Sequence, residues 1–141
     1  MEFNKDKEEL LAIDYINKGD YQPAKIILEK FISLKIANHL HYTNLAFIYA
    51  KNSDWNSVIK FCEKAITLDS NSYNAWSILG LAFKNKSEFL KAVVAYENAI
   101  KIKPDFFDAF CNLGLAKHKL RDFKGADKAY SKALELNSNS F

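Results

Sequence analysis

The chain has 141 residues, 49% of them hydrophobic and 26% charged, which suits one soluble domain with a continuous core and is too short for a multidomain enzyme. Its 20 basic and 17 acidic residues leave a formal charge of +3, and Arg121 is its single arginine, so neither attraction of a polyanion nor bidentate phosphate recognition is favoured and nucleic acid is set aside as a partner. An apolar leader and any run of about 18 apolar residues are missing, and Cys62 and Cys111 stand 49 positions apart without a Cys-x-x-Cys pair, so the expectation is a reducing, cytoplasmic setting with no membrane insertion, structural zinc or disulfide.

With 4 glycines and 2 prolines the chain has little turn material, and good helix formers fill the space between. In chain order the apolar periodicity predicts helices over 5–18 and 21–35, 39–52 and 55–69, 73–86 and 89–102, and 107–120 and 123–136. Each pair is broken by a short polar turn, Asn-Lys-Gly-Asp at 17–20, Lys-Asn-Ser-Asp at 51–54, Asn-Lys-Ser-Glu at 85–88 and Lys-Leu-Arg-Asp at 119–122. Asp20, Asp54 and, in the third unit, Ser87 are expected to cap the second helices. Pro23 falls in a first turn, where a missing N–H costs little.

The pairs repeat. An offset of 34 aligns Tyr21, Trp55, Phe89 and Phe123, each after an acidic residue, and in the same phase aligns Leu11, Leu45, Leu79 and Leu113. The small residues Ala12, Ala46, Gly80 and Gly114 follow the same register, as do Ile32, Ile66, Ile100 and Leu134. The third unit reads Trp76, Leu79, Gly80, Phe83, Ala92, Tyr96, Ala99 and Pro104, which resembles the tetratricopeptide repeat in order and spacing. The second and fourth units follow through Tyr42, Leu45, Ala46, Tyr49 and Ala65 and through Phe110, Leu113, Gly114, Ala126, Tyr130 and Ala133.

That resemblance implies an all-α fold, a right-handed superhelical solenoid of four helix-turn-helix units at about 5–38, 39–72, 73–106 and 107–140, forming one domain over 1–141. No single helix pair can bury its apolar face, so each is covered by the next. Two departures matter. The first unit carries Glu8 where the others have an aromatic and Phe31 where they have alanine, so it is expected to pack differently, as an N-terminal cap. Lys117 replaces the aromatic of Tyr15, Tyr49 and Phe83, and only Asn-Ser-Asn-Ser-Phe follows the last predicted helix, so the C-terminal end is expected to lie open.

The resemblance further implies a concave wall formed by the face of each first helix opposite the core residues. The predicted partner-binding residues there are Ile13; Thr43, Asn44 and Phe47; Asn74, Ser77, Leu81 and Lys84; and Asp108, Cys111, Asn112 and Leu115. Ile13, Phe47, Leu81 and Leu115 share one repeat position, an apolar stripe flanked by amides and hydroxyls that suits a protein or peptide segment. Family members that bind chaperone C-termini use a clamp of lysines, asparagines and an arginine. Only Asn44 matches here, with Glu9, Ile13, Asn74 and Ile78 at the other positions, so no such clamp is expected.

No nucleophile and base are paired in the sequence, and no catalytic residue, metal ligand or cofactor is predicted. His39 and His41 point to different sides of a helix and His118 has no evident partner, so all three are read as surface or groove histidines. Cys62 takes a position filled elsewhere by Leu28, Tyr96 and Tyr130 and is read as a small core residue. The expected role is an adaptor or chaperone-like scaffold. The alternative is the repeat portion of a larger assembly or enzyme, its last helix docking onto another domain or onto a second copy as a homodimer.

Overall fold

A computed structural model describes residues 2–138. It contains eight helices among those residues: α1 (Lys5–Asn17), α2 (Tyr21–Ser33), α3 (His39–Lys51), α4 (Trp55–Leu68), α5 (Tyr73–Asn85), α6 (Phe89–Ile102), α7 (Phe107–Lys119) and α8 (Phe123–Ser138). Each helix packs on its neighbours in the chain, and α3 also meets α5 and α5 meets α7. The first helices of successive pairs therefore form the inner side of a helical solenoid, as the repeat predicts. Every helix ends within two residues of its expected limit.

The turns inside the pairs are built alike. Gly19, Ser53, Ser87 and Arg121 occupy the left-handed region, with φ of 77°, 57°, 60° and 65°. The next residue reaches back to the previous helix, Asp20 N–H to Tyr15 at 2.8 Å, Asp54 to Tyr49 at 3.1 Å, Glu88 to Phe83 at 2.8 Å and Asp122 to Lys117 at 2.9 Å. These bonds satisfy carbonyls that the helix end leaves free. Ser87 is thus a turn residue and not the cap of α6, and α6 has Glu88 at its N-cap without a side-chain cap bond. Asp20 makes none either. Asp54 does cap α4, accepting from the Ser57 amide at 3.3 Å and hydroxyl at 2.7 Å.

Close packing within a pair rests on a matched small and large residue. A Cβ on Gly80 would lie 2.8 Å from the Tyr96 ring, and one on Gly114 would lie 2.6 Å from Tyr130. In the pairs that carry alanine at this position, Ala12 and Ala46, the opposite residue shrinks to Leu28 and Cys62. Cys62 is fully buried, and burial pushes its thiol up to about 12.

The junction between the first two pairs is the exception foreseen from Phe31. At the other junctions small residues meet, Ala65 and Ala75, then Ala99 and Ala109, all fully buried. One repeat earlier these positions hold Phe31 and His41, whose rings stack at 4.2 Å between centroids and 23° between planes. Phe3 adds an edge-on ring 5.1 Å from Phe31. Two rings in place of two methyl groups hold α2 and α3 apart, and this is the thinnest of the junctions between pairs. His41 is 1% exposed, so it is a core residue and not the surface or groove histidine expected from sequence.

Candidate functional site

The inner wall is carried by α1, α3, α5 and α7, whose starts are fixed by side-chain caps at three of four equivalent places. Asn4 accepts from the Lys7 amide at 3.2 Å, Asn38 from Leu40 at 2.9 Å and His41 at 3.2 Å, and Ser72 from Ala75 at 3.4 Å. Phe106 holds the fourth place without a cap bond; its ring instead meets Tyr73 edge-on at 5.5 Å. Rigid helix starts of this kind set the rotation of each helix and so the direction of the wall residues.

Of the apolar row, Ile13 is 42% exposed, and Phe47, Leu81 and Leu115 are half-buried. Phe47 meets the Tyr21 ring edge-on at 6.0 Å and lies under the Lys51 ammonium at 4.8 Å. It therefore serves the packing of the first two pairs while keeping part of its surface open. Asn44, Ser77, Cys111 and Asn112 are half-buried beside the row, and Asn74 and Asp108 are exposed at its edge. Thr43 differs from the expectation: it is 6% exposed and its hydroxyl donates to the His39 carbonyl at 2.8 Å. Its hydroxyl is spent within α3.

Two wall residues are joined across helices. The Lys84 ammonium donates to Asn112 Oδ1 at 2.9 Å, and the Asn112 amide donates in turn to the Asp108 carbonyl at 3.0 Å. Burial lowers the Lys84 ammonium from its ordinary value, with no carboxylate acting against that effect. Cys111 is raised, first by burial and then by Asp108, which disfavours the reactive thiolate.

Sequence reasoning missed the polar cluster at the N-terminus of α3. Asn38 N–H donates to His41 Nδ1 at 2.9 Å, so the ring proton sits on Nε2, which lies 3.2 Å from Glu9 Oε1 but off the line of a full hydrogen bond. His39 faces away, 3.4 Å from Asp69. The available signal was the offset that pairs His41 with Ala75 and Ala109, a bulky ring in a row of alanines. A cleft of about 510 Å³ lies away from the wall, between α7 and α8, bordered by Phe110, Leu113, Lys117, Lys128, Ala129 and Lys132. A cleft of about 280 Å³ occupies the equivalent place between α5 and α6 at Trp76, Leu79, Phe83, Val94 and Ala95.

Paired helices stacked so that the first of each pair builds one continuous inner surface define a scaffold for contact with other proteins. The chain belongs to the tetratricopeptide repeat family. A model of the tetratricopeptide repeat matches residues 107–140 and a second TPR repeat model matches residues 86–120. Two crystal structures of MamA are similar to it over 96% of its length, at 29% identity with a TM-score of 0.89 and 80% of that chain covered, and at 30% identity with a TM-score of 0.86 and 74% covered. YrrB, a TPR protein with an unusual peptide-binding site, shares the fold at 20% identity and a TM-score of 0.80, over 92% of this chain and 66% of that one. No curated protein matches the sequence. Among the described residues no helix is long and apolar enough to cross a membrane, and no group of His, Cys, Asp and Glu is placed to hold a metal ion.

Proposed function

We propose that the inner wall holds a segment of another polypeptide, and that the protein acts as an adaptor without chemistry of its own. The observation that carries this reading is the partly open apolar row of Ile13, Phe47, Leu81 and Leu115, one residue from each first helix, set among polar side chains. Apolar side chains of a ligand gain from covering the row, and Asn44, Ser77 and Asn112 offer partners for its backbone. The α7–α8 cleft is larger than its α5–α6 equivalent, but it belongs to one helix pair. The wall runs across successive pairs and suits a chain. Binding would not use the two-carboxylate clamp, and the free thiols of Cys62 and Cys111 accord with action in the cytoplasm.

The test is affinity capture from extract with the intact chain beside Phe47→Glu with Leu81→Glu, and with Leu81→Glu alone because Phe47 also packs on Tyr21. Helical content is measured for all three. Partners lost from the folded variants support the wall. Partners kept by them move the contact elsewhere, the α7–α8 cleft and a second copy of the chain being the next places to examine.

A further inference from the structure

Among the described residues, Lys84 is a half-buried cation on the wall with no carboxylate beside it. Some lysines of this molecule sit against carboxylates, Lys18 with Asp14 at 2.7 Å, Lys91 with Glu88 at 2.7 Å and Lys117 with Glu97 at 3.4 Å. Lys51, on α3, is exposed and rests over the Phe47 ring. Lys84 is half-buried, and among the described residues its ammonium has only the neutral Asn112 amide as partner. An amide orients an ammonium but does not balance its charge, so the desolvation of Lys84 stands uncompensated in the free protein. One of its three N–H donors is taken by Asn112, leaving two for a ligand. Asn112 is itself fixed by its bond to the Asp108 carbonyl, so the ammonium is held at the α5–α7 seam and not left to wander.

We propose that this seam takes an internal Asp or Glu side chain of the bound peptide, its carboxylate on the Lys84 ammonium and its neighbouring apolar side chain against Leu81 and Leu115. The assignment rests on the reading of the wall as a peptide site and deepens it. A partly desolvated cation gains more from a counter-charge than an exposed one, because water competes less for both groups. The chemistry fits a single carboxylate. A phosphate or a terminal carboxylate clamp would call for further cations or a guanidinium, and the single arginine, Arg121, lies in the α7–α8 turn.

The test is selection of random peptides displayed with their C-termini fused to the carrier, so that only side-chain carboxylates are sampled. Baits are the intact chain, Lys84→Gln, Lys84→Arg, Leu81→Glu and, as a control of equal charge change on an exposed site of α6, Lys101→Gln. The expected result is enrichment of one Asp or Glu beside an apolar residue with the intact chain, Lys84→Arg and Lys101→Gln, and its loss with Lys84→Gln. A selected peptide carrying Glu→Gln should bind the intact chain about ten-fold more weakly and show no such loss on Lys84→Gln. Peptides that depend on Leu81 but show no acidic preference, or the same preference on Lys84→Gln, overturn this assignment and leave the wall standing. If no selected peptide depends on Leu81, the wall reading falls and the assignment falls with it.

Discussion

At the scale of single residues, the matched pair of position 80 and position 96 shows how a repeat motif encodes distance. Gly80 lets α5 approach α6 until the Tyr96 ring fills the space where a Cβ would stand, and Tyr96 is fully buried. Gly114 and Tyr130 repeat the arrangement, but Tyr130 is 36% exposed and has room to turn aside. Gly80→Ala is therefore expected to destabilise by roughly 1–3 kcal/mol, through overpacking against a ring that cannot move. Gly114→Ala should cost much less. A second change, Tyr96→Leu, recreates the Ala12 and Leu28 pairing of the first pair and should recover part of the loss in the double variant. Urea denaturation midpoints of the four proteins check this, and equal losses for the two glycines would show that the ring contacts are not what sets the helix spacing. The Tyr96 hydroxyl has no hydrogen-bond partner among the described residues, so the ring's value here is its shape.

At the scale of elements, the start of α3 binds a helix cap to a buried histidine. His41 Nδ1 accepts the Asn38 N–H while Asn38 Oδ1 accepts the His41 N–H, a reciprocal cap that requires a neutral imidazole. A second ring proton on Nδ1 would point at the Asn38 N–H and break the bond. Burial lowers the affinity of His41 for that proton; Glu9 and, more weakly, its contact with the ring act the other way, and Lys5 and His39 add to the lowering. With the folded value below the ordinary 6.5, the unfolded chain takes up the proton first as pH falls. Stability is then full above about 6.5, falls as pH drops from there toward the folded value, and levels off below it. The denaturation midpoint should decline from neutral toward mildly acidic pH in the native chain and decline less in His41→Phe, which keeps the stack on Phe31 and cannot titrate. Parallel declines would remove His41 as the cause. The same element marks where sequence reading stopped. Helix limits and the repeat register were legible because apolar period, polar turns and the offset of 34 all agree. Ser87 was misread as a cap because a small polar residue before a helix serves a cap or a left-handed turn equally well. Thr43 was placed on the wall by angle alone, which says nothing of its bond to the His39 carbonyl. The Lys84–Asn112 bridge joins residues 28 apart on two helices, a distance that periodicity within either helix does not report.

At the scale of the whole molecule, a solenoid holds together through its junctions, and its stability is close to a sum over neighbouring pairs. The junctions here are not equal. Between α4 and α5 and between α6 and α7, alanines bring the helices into close contact. Between α2 and α3 the Phe31 and His41 rings intervene, and α2 is followed by its own left-handed residue, Lys35 at φ 58°, which α4 and α6 lack. The outer side of α1 adds little cover, since Leu10 and Leu11 are 69% and 36% exposed while Leu45, Leu79 and Leu113 are buried. The first pair is therefore the part that can open while the rest stays folded. Native-state hydrogen exchange should give the core amides of α1 and α2 lower protection than those of α5 to α7, reached by an opening that leaves the inner seam of α5 and α7 intact. Phe31→Ala, which leaves a cavity worth about 3–5 kcal/mol against the one junction it serves, should lower protection in α1 and α2 much more than in α5 to α7. Uniform protection across the eight helices, falling uniformly in Phe31→Ala, would mean that the array unfolds as a single unit and that the ring-filled junction is as strong as the alanine ones. A graded result has a consequence for binding, because Ile13 and Phe47 lie on either side of the weak junction while Leu81, Lys84 and Leu115 lie on the firm part. A ligand spanning all four pairs would have to hold the first pair closed, and its affinity would carry the cost of that ordering. One confined to the α5–α7 seam would not.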